Sequence, residues 1–249
     1  MNWAYHRGVA LARELGNSTS SELRDAAPVL LVPVGSTEQH GPHLPLDTDT
    51  RIATAVAHAA AERLCAAVAD AGRYLVGPPV AYGASGEHEG FPGTVSIGAE
   101  ALEKLLVEFG RSASRWTPTV VFLNGHGGNI GALTAAVRLL RYEGRDAVWA
   151  SCEVRGGDAH AGHTETSVLL HLSPGDVRIE QTRPGNTAPL VDLMPGMRRG
   201  GVAAVSEVGV LGDPTTATAT AGRQLFDEMV RGCVDRVTRW TPRADGMLT

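Results

Sequence analysis

The sequence predicts an α/β protein with three layers, αβα, around a mostly parallel central sheet. Three observations lead there. Continuous apolar runs at 29–34 (VLLVPV), 119–123 (TVVFL) and 147–152 (AVWASC) read as strands covered on both faces. Helical patterns fall between those runs, the order expected of a sheet with crossover helices. Each run then hands over to a loop carrying His, Asp or Glu, beyond the carboxyl end of a strand, where open parallel sheets form their sites.

Taken in order, Thr19 and Glu22 have the spacing of a capping box for a short helix. Pro33 lies near the end of the first apolar run and predicts that regular pairing stops there. Residues 50–71 are alanine-rich and helical, with Gly72 as the stop. A strand is expected over 74–80, curtailed by Pro78 and Pro79, before a glycine-rich loop at 82–94. Residues 99–116 form the next helix, with Leu102, Leu105, Leu106 and Phe109 on one face. Further helices are expected over 130–142, 166–172 and 218–240. The stretch 174–217 is rich in Pro, Gly and Thr and carries no clear periodicity. No linker or repeat divides the chain, so a single domain over 1–249 is expected.

Composition narrows the function. With 43% hydrophobic and 20% charged residues, the chain suits a soluble enzyme with a sizeable core. Its net charge of −5 and scattered arginines offer no basic field for nucleic acid or an anionic membrane. Cys65, Cys152 and Cys233 are far apart and form no CxxC pair, which suits small core residues in a reducing compartment. No leader is evident at the N-terminus and no apolar run approaches a membrane span. A cytoplasmic location is expected.

Three loops carry the chemistry. In the first, Glu38 and His40 are two residues apart, and in an extended segment such side chains point the same way, roughly 6–7 Å apart. That spacing suits one ligand to each of two ions about 3.5–4 Å apart. Asp49 opens the long helix, and its two oxygens could bridge both ions; Asp47 and Asp49 read equally as helix caps. His43 and Asp47 are expected to support the site or the fold. In the second loop, His126 lies among Gly125, Gly127 and Gly128, with Asn129 opening a helix. A phosphate cradle is the rival reading, but GxGxxG is incomplete there. The third loop holds Asp158, His160, His163 and Glu165. Glu165 can supply a carboxylate to the second ion, and His160 a general acid or base. His163 reads as readily as a supporting or surface histidine. Two divalent ions with Glu38, Asp49 and Glu165 leave a net +1, which favours ionisation of water at neutral pH. Substrate contacts are expected from His88, Glu87, Asn129 and His163, with Ser85 and Glu89 beside them. His6, His58 and His171 are expected to be structural.

These motifs resemble the creatininase family of metal-dependent amidohydrolases. The similarity lies in GSTEQHGPHLPLDTD (35–49), GEHEGFPGT (86–94), NGHGGN (124–129) and HAGHTETS (160–167), in that order. The resemblance implies one metal on Glu38, Asp49 and His126, and the other on His40, Asp49 and Glu165. It also implies His160 as the catalytic or substrate-orienting histidine, Fe(II) or Zn(II) as the two ions, and an α/β fold assembled into homo-oligomers. Creatininase itself has Tyr-Glu after the motif histidine, whereas Gly127 and Gly128 stand here, and Ala159 precedes His160. Creatinine as substrate is therefore not implied.

At a finer level the chain is similar to the peptidase branch of the family in the mycofactocin system. NWAYHRGV (2–9), YGASGEHEGFPGTVSIG (82–98), RYEGRDA (141–147), DAHAGHTETSVLLH (158–171) and GVLGDPTTATA (209–219) carry that similarity. It implies hydrolysis of a radical-modified ribosomal precursor peptide near its C-terminus, releasing a cyclised product derived from Val-Tyr. The alternative is an amidohydrolase of the same family acting on a small cyclic amide or formamide.

Overall fold

The structure, a computed structural model, describes residues 14–24, 26–70 and 72–249. The stretch 2–9, His6, the N-terminal leader expectation and the last residue of the expected 50–71 helix lie outside the described residues.

Four parallel strands, β1 (Val29–Val34), β2 (Tyr74–Val76), β3 (Thr119–Asn124) and β4 (Asp146–Ser151), form one sheet in the order β2-β1-β3-β4. β1 and β3 pair along their whole length, from Val29 opposite Thr119 to Val34 opposite Asn124. Among the described residues, seven α-helices accompany them: α1 (Ser20–Leu23), α2 (Thr48–Val68), α3 (Gly98–Ala113), α4 (Ile130–Tyr142), α5 (His163–Leu172), α6 (Leu190–Gly200) and α7 (Ala219–Arg239). The capping box at Thr19 and Glu22 is formed.

The strands are apolar throughout because each face meets a helical layer. Leu30, Val32, Val120, Phe122, Ala147 and Trp149 pack with Leu102 and Leu106 of α3 and Leu133 and Leu140 of α4. Leu31, Val121, Leu123, Val148 and Ala150 face the other way, onto Ile52 and Val56 of α2, Leu169 of α5 and Val230 of α7. This is the three-layer αβα architecture. Each large apolar side chain fully buried in this way contributes roughly 1.5–3 kcal/mol.

Several boundaries differ from those expected. β2 ends at Val76, since Pro78 and Pro79 cannot donate to the ladder, and Val80 then rejoins β1 through a bridge to Val34. α2 ends at Val68 rather than near 71, with Ala69 in the left-handed conformation. α3 ends at Ala113 rather than 116. α5 starts three residues before the expected Thr166, because Asp158 accepts the backbone N–H groups of His163 and Thr164 that would otherwise lack partners. The unassigned stretch contains α6, with Pro195 inside it. Leu193, Val202 and Leu211 make a small third core there with Phe91, Met197 and Val205. At the outer edge of β4, Gly246 and Leu248 bond to the Trp149 backbone and cover it.

Candidate metal centre

The connections leaving all four strands converge at one edge of the sheet. The strand order reverses direction between β1 and β3, the position where open α/β sheets bind ligands. The first turn of α2 is inserted there. A Cβ on Gly125 would lie 2.6 Å from the Asp49 carbonyl oxygen, so only glycine lets the loop after β3 approach that turn.

Glu38, His40, Asp49, His126 and His160 are all buried, and the Glu165 side chain is 19% exposed. His40 Nε2 lies 3.0 Å from Asp49 Oδ1 and 3.8 Å from Glu165 Oε2. On the other side, His126 Nδ1 lies 3.4 Å from Asp49 Oδ2, while its Nε2 lies 3.2 Å from Glu38 Oε2. Asp49 thus presents one oxygen to each histidine. Ser36 donates its hydroxyl proton to Asp49 Oδ2, and His40 Nδ1 donates to the Glu38 carbonyl. That second bond leaves Nε2 as the nitrogen facing the cluster, where its proton goes to Asp49 and where a metal would take that proton's place. His160 shows a related logic. Its Nε2 lies 2.8 Å from the Gln39 carbonyl, which only accepts, so the proton is on Nε2 and Nδ1 faces Glu38 Oε1 at 3.6 Å.

The electrostatics call for positive charge. Both oxygens of Glu38 are buried without a hydrogen-bond partner of good geometry, and burial beside Asp49 pushes this carboxyl up to about 7. Burial likewise lifts Glu165 to about 7, against the pull of His40. Burial disfavours a charged His40, but Asp49, Glu165 and Glu38 outweigh it and lift the ring to about 10. Burial would also raise Asp49, yet His40 and His126 hold it below the ordinary carboxylate range. A buried carboxylate lacking donors is costly unless a cation pairs with it, so the donor set fits divalent ions. By distance, three groups among the described residues could each hold an ion: Glu38–His40–Asp49, His40–His160–Glu165 and Glu38–His88–His160.

The remaining expected residues fall into two sets. His88 is buried against the cluster, with Nε2 3.3 Å from Glu38 Oε1, and Glu87 places Oε1 3.5 Å from His126 Nε2. Ser85 Oγ lies 3.5 Å from His126 Nε2, while Glu89 is exposed. Asn129, in contrast, is fully buried with its amide spent on the fold: Oδ1 accepts from Ala84 N–H, and Nδ2 donates to the Gly35 carbonyl and Asn124 Oδ1. His163 points away from the cluster and bonds Thr216 Oγ1 at 2.8 Å. His43 bonds Thr166 at 2.8 Å beneath the loop. Asp47 occupies the cap position of α2, but its carboxylate accepts from Arg51. Cys152 is no available nucleophile, because burial pushes its thiol far above the ordinary value.

Gln39 and Ser36 were not singled out from the sequence. Gln39 is buried between the two ligand candidates Glu38 and His40 and bonds to the histidines beyond them. Its place inside the EQH triplet is the one signal the sequence offered.

A cavity of about 610 Å³ opens over the cluster. Asp49, His126, His160 and Glu165 lie in its wall, with Ile52, Ile130 and Met229 on an apolar side. The previously unassigned segment completes it through Asn186 to Leu190 and Leu211 to Asp213.

The family model described as "Creatininase: Creatinine amidohydrolase" matches residues 16–237. The chain belongs to the creatininase family. It is 68% identical over 250 residues, covering all of both chains, to the mycofactocin precursor peptide peptidase of Mycolicibacterium smegmatis. The protein of that name from Mycobacterium tuberculosis is 64% identical, again over the full length of both. Creatinine amidohydrolase of Pseudomonas putida is 29% identical, with 86% of this chain and 90% of that one covered. Among solved structures, "Creatininase Mn" superposes with a TM-score of 0.74 at 27% identity, covering 93% of this chain and all of the other. A mutant creatininase described as "Zn-Zn type" gives the same TM-score and identity over 95% of this chain. The αβα fold is therefore that of creatininases, and the His/Glu cluster lies in a family with Zn and Mn forms. Among the described residues, no helix is long and apolar enough to cross a membrane.

Proposed function

We propose that this chain is a cytoplasmic, dinuclear metal-dependent peptidase, assembled as a homo-oligomer. Its substrate would be the radical-modified mycofactocin precursor, cut near the C-terminus to release the cyclised Val-Tyr-derived product. The observation that carries the hydrolase reading is the convergence of Glu38, His40, Asp49, His126 and Glu165 beneath one open cavity. Full-length identity of 68% to a precursor peptide peptidase supports the substrate.

Glu38, Asp49 and His126 would hold one ion, and His40, Asp49 and Glu165 the other, with Fe(II) or Zn(II) as the expected metals. Divalent ions at such a site supply Lewis acidity toward a carbonyl and acidify water. The chain's own groups do the rest. Asp49 would be the ligand shared between the two ions; its carboxylate accepts from Ser36 and lies in the first turn of α2, where the helix dipole favours negative charge. His160 lines the cavity with Nδ1 unprotonated, placed to take a proton and return it to the departing amine. His88 and Glu87, on the loop after β2, flank the ligand candidates Glu38 and His126. Asn129 acts on the fold rather than on substrate, since both ends of its amide are engaged there, while His163 places Nδ1 on Thr216. Ile52, Ile130, Met229 and Leu190 give the cavity an apolar side for the residues flanking the bond.

The test is incubation of metal-loaded protein with purified modified precursor, followed by mass spectrometry. Appearance of the C-terminal product, lost on chelation and regained with metal, is expected. If the metal-loaded protein leaves that peptide intact and opens a small cyclic amide or formamide instead, the amidohydrolase alternative replaces the peptidase.

A further inference from the structure

One side chain inside the site has no part in the ligand set, yet touches both non-ligand histidines. Gln39 is 5% exposed. Its Oε1 accepts from the Gly41 N–H at 2.9 Å, and its Nε2 lies 3.0 Å from the Gly209 carbonyl. A backbone N–H can only donate and a carbonyl can only accept, so these two contacts fix which end of the amide is nitrogen. The same NH2 group lies 2.8 Å from His88 Nδ1 and 3.1 Å from His160 Nε2.

His160 cannot be the acceptor, because its Nε2 already donates to the Gln39 carbonyl. The second amide proton therefore goes to His88 Nδ1. That nitrogen must be bare, which makes the ring neutral and puts its proton on Nε2. The Nε2–H then faces Glu38 Oε1 at 3.3 Å, as a dipole beside a charge rather than a straight hydrogen bond. By distance alone, Glu38, His88 and His160 could hold a further ion. The proton inventory removes His88 from that group, since its only bare nitrogen points at Gln39.

We propose that Gln39 is a positioning residue that sets the tautomers of the site: it holds His88 with its Nε2–H turned toward Glu38, off the metal, while its backbone carbonyl turns the bare Nδ1 of His160 toward the reacting centre. One residue thereby holds two neighbouring imidazoles, with centroids 4.3 Å apart, in the same Nε2–H tautomer but turned opposite ways: His88 faces Glu38 with its N–H, His160 with its bare nitrogen. The assignment holds whatever the substrate.

The test is a long-range proton–nitrogen NMR experiment on the zinc-loaded protein labelled with ¹⁵N-histidine. Signals are assigned by their loss in His88→Gln and His160→Gln. In the wild type, His88 should carry its proton on Nε2 and bind no zinc. Gln39→Glu keeps the shape but presents a carboxylate, which accepts only, so the His88 proton should move to Nδ1. With a chromogenic amide substrate or the precursor, kcat should fall by roughly 10- to 100-fold at little change in KM. A wild-type His88 protonated on Nδ1 or bound to zinc overturns the proposal, as does an unchanged tautomer in folded Gln39→Glu. Should that variant not fold, the wild-type spectrum decides alone. Because the spectrum does not depend on cleavage, its failure is distinguishable from failure of the peptidase assignment.

Discussion

Replacing Asp49 by Asn keeps the shape of the side chain and deletes one charge from the centre. Its two oxygens lie 3.0 Å from His40 Nε2 and 3.4 Å from His126 Nδ1. The longer of these distances, 3.4 Å, serves as a conservative charge separation. At that separation two unit charges interact by about 5 kcal/mol with an effective dielectric near 20, and a divalent ion by about twice as much. Desolvation offsets much of this, but a net loss of only about 3 kcal/mol per ion weakens binding more than 100-fold. Because Asp49 serves both sides, both dissociation constants should rise together. Metal content after gel filtration, with competition against a chromogenic chelator, measures this directly. Circular dichroism checks that the variant is folded. If one ion is kept at wild-type affinity while the other is lost, Asp49 does not bridge; if both are kept, the ligand set is wrong.

Other outcomes follow from the same geometry. His160→Asn should retain two ions but lose about 10²–10⁴-fold in kcat, the range for a positioned acid or base; loss of an ion would show that His160 is a ligand instead. Gly125→Ala puts a methyl group 2.6 Å from the Asp49 carbonyl, so it should cost about 1–3 kcal/mol in denaturant melts and weaken metal binding. Metal affinity equal to wild type would refute the role given to that close approach. All three cysteines are buried, with the Cys152 and Cys233 thiols pushed up by burial, the latter to about 12. Ellman's reagent should therefore find none in the native protein and all of them after unfolding; rapid reaction of Cys152 would contradict this.

The strands were legible because burial on both faces leaves an uninterrupted apolar run, as in VLLVPV and TVVFL. The convergence of the loops was legible for the same reason, since parallel strands put all their carboxyl ends on one side. What the sequence hid was set by contacts distant along the chain. The start of α5 depends on Asp158 reaching forward to cap it, at a spacing outside ordinary capping patterns. α6 carries an interior proline and owes its place to Phe91 and Leu211 rather than to local propensity. Gln39 carries no metal-binding chemistry of its own, so only its partners at 88, 160 and 209 reveal it. Asn129 and His163 stood inside the right motifs, but motif membership does not say which way a side chain turns.

The small core of Leu193, Val202 and Leu211 is separate from the two cores that sandwich the sheet. Its segment builds one wall of the cavity, while the ligand candidates hang on strand ends and helix starts of the main body. The two are joined where Leu211 pairs with the His160 backbone and Gly209 accepts from Gln39. Repacking this segment would therefore reach His160 through Leu211 as well as reshape the wall at 186–190.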